Sequence, residues 1–146
     1  MNKTQQTNKL LRLKELRRKL ASAAAARANR EYYQALQVLQ DARDYEEHLR
    51  QNGEVKRRER IHKLLERDEN PALQNAQITN EYKIERSEYI NSRQIREIRS
   101  QEADGAMDRL KLKQSELARK VLEEERTRKL CERLASLQRL EKMKTG

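Results

Sequence analysis

Apolar residues in the first half of the chain recur at intervals of three and four, the spacing of one face of an α-helix. This pattern predicts a long helix from about residue 8 to residue 67, capped at its start by Thr7 or Asn8. Its seam, the line of residues facing a partner helix, is close to a heptad repeat. The predicted seam comprises Leu13, Leu16, Leu20, Ala24, Ala28, Tyr32, Ala35, Leu39, Ala42, Tyr45 and Leu49.

The second half of the chain has the same periodicity and predicts a helix from about residue 77 to residue 143. Its predicted seam comprises Ile78, Tyr82, Tyr89, Ile95, Ile98, Ala106, Leu110, Leu117, Val121, Cys131, Leu134 and Leu137. Between the two helices, residues 68–76 contain Pro71, the only proline. Proline lacks an N–H donor and disfavours helix at the preceding residue, so this segment predicts a turn.

Asn52-Gly53 is a weaker break signal, which allows either a bend or a helix that continues through an unfavourable glycine. At 1.5 Å per residue the two predicted helices are about 90 Å and about 100 Å long. These lengths match only if the first helix continues through Gly53. The sequence therefore predicts an all-α fold: one elongated antiparallel coiled-coil hairpin over residues 1–146. The same seam can also pair between chains, so the oligomeric state stays open.

The composition favours exposed helices over a compact globular domain. Charged residues make up 40% of the chain, Phe and Trp are absent, and the mean hydropathy is −1.22. Cys131 is the only cysteine, which excludes an internal disulfide and fits a reducing compartment. The chain has neither the apolar run of about 20 residues that a membrane span needs nor the apolar core of a signal peptide. We therefore expect a cytosolic protein without membrane insertion.

Positive charge is concentrated at the two ends. Residues 1–20 contain seven Lys and Arg and one Glu, and residues 126–144 contain seven Lys and Arg and two Glu. A hairpin brings both segments to one end, where like charges repel each other unless a partner surface compensates them. The predicted partner-binding residues are Arg12, Lys14, Arg17, Arg18, Arg126, Lys129, Arg133 and Arg139.

Catalysis has almost no support in the sequence. His48 and His62 lack companions at metal-ligand spacing, and no glycine-rich phosphate loop or Cys/His cluster is present. We therefore expect neither enzymatic activity nor a cofactor. The basic run at residues 56–60 contains an acid and favours a solvated helix face over a nucleic-acid site. Among the tyrosines, Tyr33 is the candidate partner contact, since its neighbour Tyr32 fits the seam.

The order of these segments resembles a known family. A basic leucine segment at residues 10–18 is followed by an alanine-rich stretch and by Tyr32–Tyr45, and the charged second helix ends in Leu130–Leu140. This order is similar to the FliJ/YscO family of bacterial type III export systems, flagellar or virulence-associated. The resemblance covers most of the chain and rests on length, charge and periodicity.

The resemblance implies a coiled coil like the central stalk of rotary ATPases. Its terminal end would sit in the hexameric export ATPase ring, with residues 10–19 and 126–140 facing the ATPase. The export gate protein and secretion chaperones would meet either the Tyr32–Tyr45 region, with Tyr33 as the candidate contact, or the turn at Pro71. The protein would be cytoplasmic, peripheral to the inner-membrane export apparatus. Two alternatives stay open: a structural coiled coil of a cytoskeletal or ciliary assembly, and a helical protein that binds nucleic acid through phosphate neutralisation.

Overall fold

The chain forms two long α-helices that pack against each other in antiparallel orientation. The computed structural model describes residues 2–66 and 70–145. Helix α1 is Lys3–Leu65 and helix α2 is Pro71–Thr145. The predicted two-helix coiled-coil hairpin is therefore confirmed.

Asparagine caps both helices, which explains why they begin earlier than predicted. The backbone N–H of Gln5 donates to Asn2 Oδ1 at 2.8 Å, and that of Leu73 donates to Asn70 Oδ1 at 3.2 Å. The predicted caps Thr7 and Asn8 lie inside α1, so that part of the prediction is wrong. Thr7 instead donates its hydroxyl to the carbonyl of Lys3 at 2.7 Å.

Pro71 begins α2 and does not interrupt it. Proline suits the first helical position, because its fixed φ is already helical and the missing N–H would have no partner there. Residues 71–76 of the predicted turn are therefore helical, while residues 67–69 lie outside the described residues. At the end of α1, Gln74 Nε2 donates to the carbonyl of Lys63 at 3.1 Å and ties the two helices together beside the turn.

Helix α1 continues through Asn52-Gly53 without interruption, and Gly53 does not have a positive φ. Of the two courses that the sequence allowed, the chain therefore takes the helix that continues through the glycine. Apart from the adjoining residues and nearby backbone of α1 itself, nothing lies within 4 Å of the position that a Cβ would take on Gly53.

Contacts divide the helix pair into two units. One unit, called here the terminal unit, lies within Met1–Tyr32 and Ala106–Gly146; the other, the turn unit, lies within Tyr33–Gly105. Small and aliphatic residues are buried in both, namely Ala25, Ala28, Ala106 and Leu110 in the terminal unit and Leu39 and Ala103 in the turn unit.

The seam of α1 follows a strict heptad repeat, and this corrects the predicted seam near the N-terminus. Its least exposed positions step through Leu11, Lys14, Arg18, Ala21, Ala25 and Ala28. The predicted seam residues Leu13, Leu16 and Leu20 are instead 41%, 54% and 63% exposed. The prediction has four consecutive steps of four from Leu16 to Tyr32, where a heptad alternates steps of three and four, and these steps rotate the apolar line away from the 3.5-residue repeat of a coiled coil.

In the seam of α2, as in that of α1, polar residues occupy positions for which the sequence predicted apolar residues. Ala106 and Leu110 are buried as predicted, and Ile78, Tyr89, Leu117, Cys131 and Leu134 are half-buried. The other predicted seam residues are exposed: Tyr82, Ile95, Ile98, Val121 and Leu137 on α2, and Tyr45 on α1. Their places are taken by polar side chains, of which Ser92, Glu124 and Thr127 are buried.

Candidate partner-binding surface

The terminal unit carries all of the excess positive charge. Its sequence ranges contain 21 Lys and Arg against nine Asp and Glu, whereas those of the turn unit contain 13 against 15. The predicted concentration of cations is therefore a property of one structural unit that contains both ends of the chain. Thr4 and Gln138 are hydrogen-bonded to each other, so the two terminal segments are paired side by side.

Two of the predicted partner-binding cations hold the helices together. Lys14 Nζ lies 3.3 Å from Glu123 Oε2, and Arg18 Nε lies 2.5 Å from Glu124 Oε2. The carboxylate of Glu124 is only 6% exposed and also accepts a hydrogen bond from Arg128 Nη2 at 2.9 Å. Lys14 and Arg18 thus belong to the interhelical seam and do not face outward.

The hydrogen bond from Lys14 has an electrostatic consequence. It holds the pKa of Glu123 below the ordinary glutamate range, with further help from the positive charge of Lys120. Partial burial of the carboxylate raises this pKa, by less than the hydrogen bond from Lys14 lowers it. The carboxylate therefore stays ionised as the pH falls into the range where most glutamates become protonated.

The other six predicted cations are exposed on the outer faces of the helices. Within residues 2–66 and 70–145 none of them forms an ion pair, which leaves their charges available to a partner. They are Arg12, Arg17, Arg126, Lys129, Arg133 and Arg139.

Exposed leucines lie among these cations on one broad side of the terminal unit. The ion pair between Glu15 and Arg128, at 3.9 Å, marks one side of the helix pair. The opposite flank of α2 carries Glu123 and, at successive seven-residue steps, Leu130 and Leu137. The matching flank of α1 completes a surface that we call the leucine face; it comprises Leu10, Leu13, Leu20, Leu130 and Leu137.

The register of the two helices aligns these leucines. The pairs Thr4–Gln138 and Arg18–Glu124 place residue 12 of α1 level with Leu130 of α2. Leu10 and Leu13 therefore lie on either side of the level of Leu130. Arg17 lies between Leu13 and Leu20 on α1, and Arg133 lies between Leu130 and Leu137 on α2, at spacings of three and four residues.

Sequence reasoning found the cations of this surface but missed its leucines, because it assigned most of them to the seam. Counting heptads backwards from Ala28 and Ala25 gives Ala21, Arg18, Lys14 and Leu11 without a break. The carboxylates of Glu123 and Glu124 on the facing helix were a second signal, since they can pair with cations at seam positions.

In the turn unit, Tyr33 is 62% exposed, as a candidate partner contact requires. A separate cleft of about 360 Å³ opens at Gly53, with Leu49, Tyr82 and Tyr89 among its lining residues. The cleft exists because glycine provides no side chain at this seam position.

Arg60 changes the interpretation of the basic run at residues 56–60. Its side chain is only 8% exposed, its Nη2 lies 2.6 Å from Glu85 Oε2, and its guanidinium lies 6.0 Å from the centre of the Tyr82 ring. Its Nη1 is buried without a hydrogen-bond partner. One member of the predicted solvated face is thus part of the seam.

Protein-family models, curated proteins and solved structures give no match to this chain. Its function must therefore be inferred from the residues and contacts of the helix pair.

The helix pair contains no group of three or more His, Cys, Asp or Glu placed to hold a metal ion among the described residues. Across the same residues, neither helix has a stretch long and apolar enough to cross a lipid bilayer. His62 is exposed on α1, and its Nε2 lies 3.9 Å from Oε1 of Glu66, the residue that follows the helix.

Proposed function

We propose that the protein is a non-enzymatic stalk or coupling component of a type III protein export apparatus. In this proposal the paired terminal segments dock into a hexameric export ATPase ring on the cytoplasmic side of the inner membrane. The turn unit, with Tyr33, contacts the export gate protein or secretion chaperones.

One observation carries the proposal: both ends of a helical hairpin are paired in a unit with 21 cations and nine anions. Crowding like charges destabilises the unit, and an acidic partner surface relieves that cost. A pair of helices with excess positive charge can enter a ring that is lined with acidic side chains. The resemblance to the FliJ/YscO family supplies the export ATPase as the partner.

The test is co-purification with a ring ATPase of an export system, together with the rate of ATP hydrolysis. Reversing four exposed cations of the terminal unit, Arg12, Arg17, Arg126 and Arg133, to Glu is expected to abolish binding and stimulation. These side chains do not contribute to the interhelical ion pairs, so the helix pair is retained. Circular dichroism verifies that it is.

The matched control reverses four exposed cations of the turn unit, Arg43, Arg58, Lys83 and Arg86, to Glu. It changes the net charge by the same amount and is expected to leave binding intact. If both variants bind equally well, docking through the terminal unit is wrong. If the wild-type protein does not bind the ATPase at all, the proposed partner is wrong.

A second candidate, a structural coiled coil of a larger assembly, is favoured by exposed aliphatic residues in the turn unit. Ile84, Ile90, Ile95 and Ile98 are each more than 40% exposed. This function predicts co-sedimentation with a protein polymer and no effect on ATP hydrolysis, which separates it from the stalk proposal.

A further inference from the structure

The terminal unit leaves unusually large aliphatic side chains outside its seam. Leu10, Leu13, Leu20, Leu130 and Leu137 are between 41% and 63% exposed. The seam between them includes only a few leucines, such as Leu11 and Leu134, beside alanine, threonine and the ion pairs of Lys14 and Arg18. Burying exposed leucines against a partner is favourable, because it removes apolar surface from water. A contiguous set of them on one side of a molecule indicates an interaction site.

The leucine face lies along the line where two packed helices meet, which is where a third helix of a bundle packs. Its leucines lie on two antiparallel helices in contact, with Leu130 between the levels of Leu10 and Leu13. Two such rows form a shallow groove along the helix axes. A third helix can fill it with side chains at i, i+3, i+4 and i+7, as in recognition of amphipathic helices by hydrophobic grooves.

The arginines on the leucine face indicate which kind of partner helix would bind there. Arg17 and Arg133 lie within the leucine rows, and Arg126 lies one turn from Leu130. None of these three forms an ion pair within the described parts of the chain, and Glu123 on the same flank is already paired with Lys14 and Lys120. A partner with carboxylates beside its apolar stripe therefore satisfies both the leucines and the arginines.

The same charge argues against a second copy of this chain as the occupant. Two terminal units facing each other would bring together two units that each have 12 more cations than anions. Nucleic acid would neutralise the arginines, but its phosphates would leave the leucines in water.

We infer that the leucine face binds an acidic amphipathic helix of a partner protein, which packs on α1 and α2 as the third helix of a bundle. This inference rests on the proposed function only in treating the terminal unit as a docking surface. It adds the structural element that the partner presents and the residues that recognise it.

The test uses the full chain and a fluorescent synthetic peptide of about 18 residues, made of Leu at i, i+3, i+4 and i+7 with Glu on both flanks. Fluorescence anisotropy is expected to show saturable binding that weakens as salt increases, because the arginines contribute. A peptide of the same composition in scrambled order, which has no apolar stripe, is expected to bind at least about tenfold more weakly.

The test variant replaces Leu13, Leu20, Leu130 and Leu137 with Gln, and its matched control replaces the exposed Ile84, Ile90, Ile95 and Ile98 of the turn unit with Gln. Both sets lie outside the seam, so both variants are expected to keep the wild-type melting temperature. The leucine variant is expected to bind the peptide at least about tenfold more weakly, and the isoleucine variant to bind it normally.

Three results overturn the inference: equal binding of the ordered and scrambled peptides, equal loss in both variants, or a wild-type dimer in light scattering that the leucine variant abolishes. The last would make a second copy of this chain the occupant of the leucine face.

Peptide binding without ATPase binding would refute the export-ATPase partner alone. ATPase binding without peptide binding would refute the helix inference alone.

Discussion

Arg18 of α1 and Glu124 of α2 are joined across the seam, with 2.5 Å between Nε and Oε2 and only 6% of the Glu124 side chain exposed. Together with Lys14–Glu123 and Arg96–Glu46, the pair shows that ionic contacts connect the two helices in both units. A seam of this kind leaves larger aliphatic residues on the outside, which is where the candidate binding surface arises.

Replacing Glu124 with Ala is expected to destabilise the helix pair by about 1–3 kcal/mol. The substitution removes the acceptor of hydrogen bonds from both Arg18 and Arg128 and leaves Arg18 partly buried without its partner. Urea denaturation followed by circular dichroism measures the change. Glu125→Ala, at an exposed neighbour, is the control and is expected to shift stability by less than about 0.5 kcal/mol. Equal effects of the two would contradict the seam assignment.

The positions of two leucines provide a direct test of the heptad register. Leu39 is 5% exposed, and Leu39→Ala is expected to cost about 2–3 kcal/mol because it removes buried apolar volume. Leu13, which the apolar pattern alone assigns to the seam, is 41% exposed. Leu13→Ala is therefore expected to change stability by less than about 0.5 kcal/mol. A large loss for Leu13→Ala in chemical denaturation would restore the seam inferred from the sequence.

Gly53→Ala is expected to stabilise the protein by about 1 kcal/mol, since alanine is the better helix former and the added Cβ meets no atom within 4 Å. Gly53→Pro is expected to destabilise it by about 3 kcal/mol, because proline removes a helical hydrogen bond. Thermal unfolding of both variants measures the difference. A bend at Asn52-Gly53 would tolerate the proline and would refute a continuous α1.

Arg60 and Glu85 are expected to respond differently to substitution. Glu85→Ala leaves a guanidinium that is 8% exposed without its ionic partner, at an expected cost of about 3 kcal/mol. Arg60→Met replaces the cation with an apolar side chain of similar length and removes the unpartnered Nη1, so it is expected to be neutral or stabilising. Denaturant titrations of the two variants compare these costs; an Arg60→Met loss as large as that of Glu85→Ala would show that the ion pair itself stabilises the seam.

The pair Lys14–Glu123 predicts a pH dependence in the terminal unit. Because Lys14 lowers the pKa of Glu123 in the folded state, the carboxylate contributes stability above the ordinary glutamate pKa of about 4.3. That contribution is lost as the pH falls through the lower folded pKa. Glu123→Gln is expected to remove this part of the acid dependence in melting curves recorded between about pH 3 and pH 7. An unchanged acid dependence in the variant would refute the contribution of this pair.

The sequence by itself determined the fold class, because the scarcity of Gly and Pro, the helix-forming composition and the 3–4 periodicity all favour two long helices. It also determined which segments carry the charge, and the hairpin topology then followed from Pro71 and the equal lengths of the two halves. The helix boundaries needed the structure, since Asn2 and Asn70 cap through local hydrogen bonds that an apolar pattern does not register.

Only the tertiary structure decided which residues form the seam. Apolarity predicted Leu13, Leu16 and Leu20, but the close approach of Ala25 and Ala28 to α2 fixes a strict heptad that continues through Lys14 and Arg18. Those cations are stable there because Glu123 and Glu124 lie opposite them, a pairing across more than 100 residues of sequence that local periodicity cannot encode. The leucines displaced from the seam became the exposed face proposed to bind a partner helix.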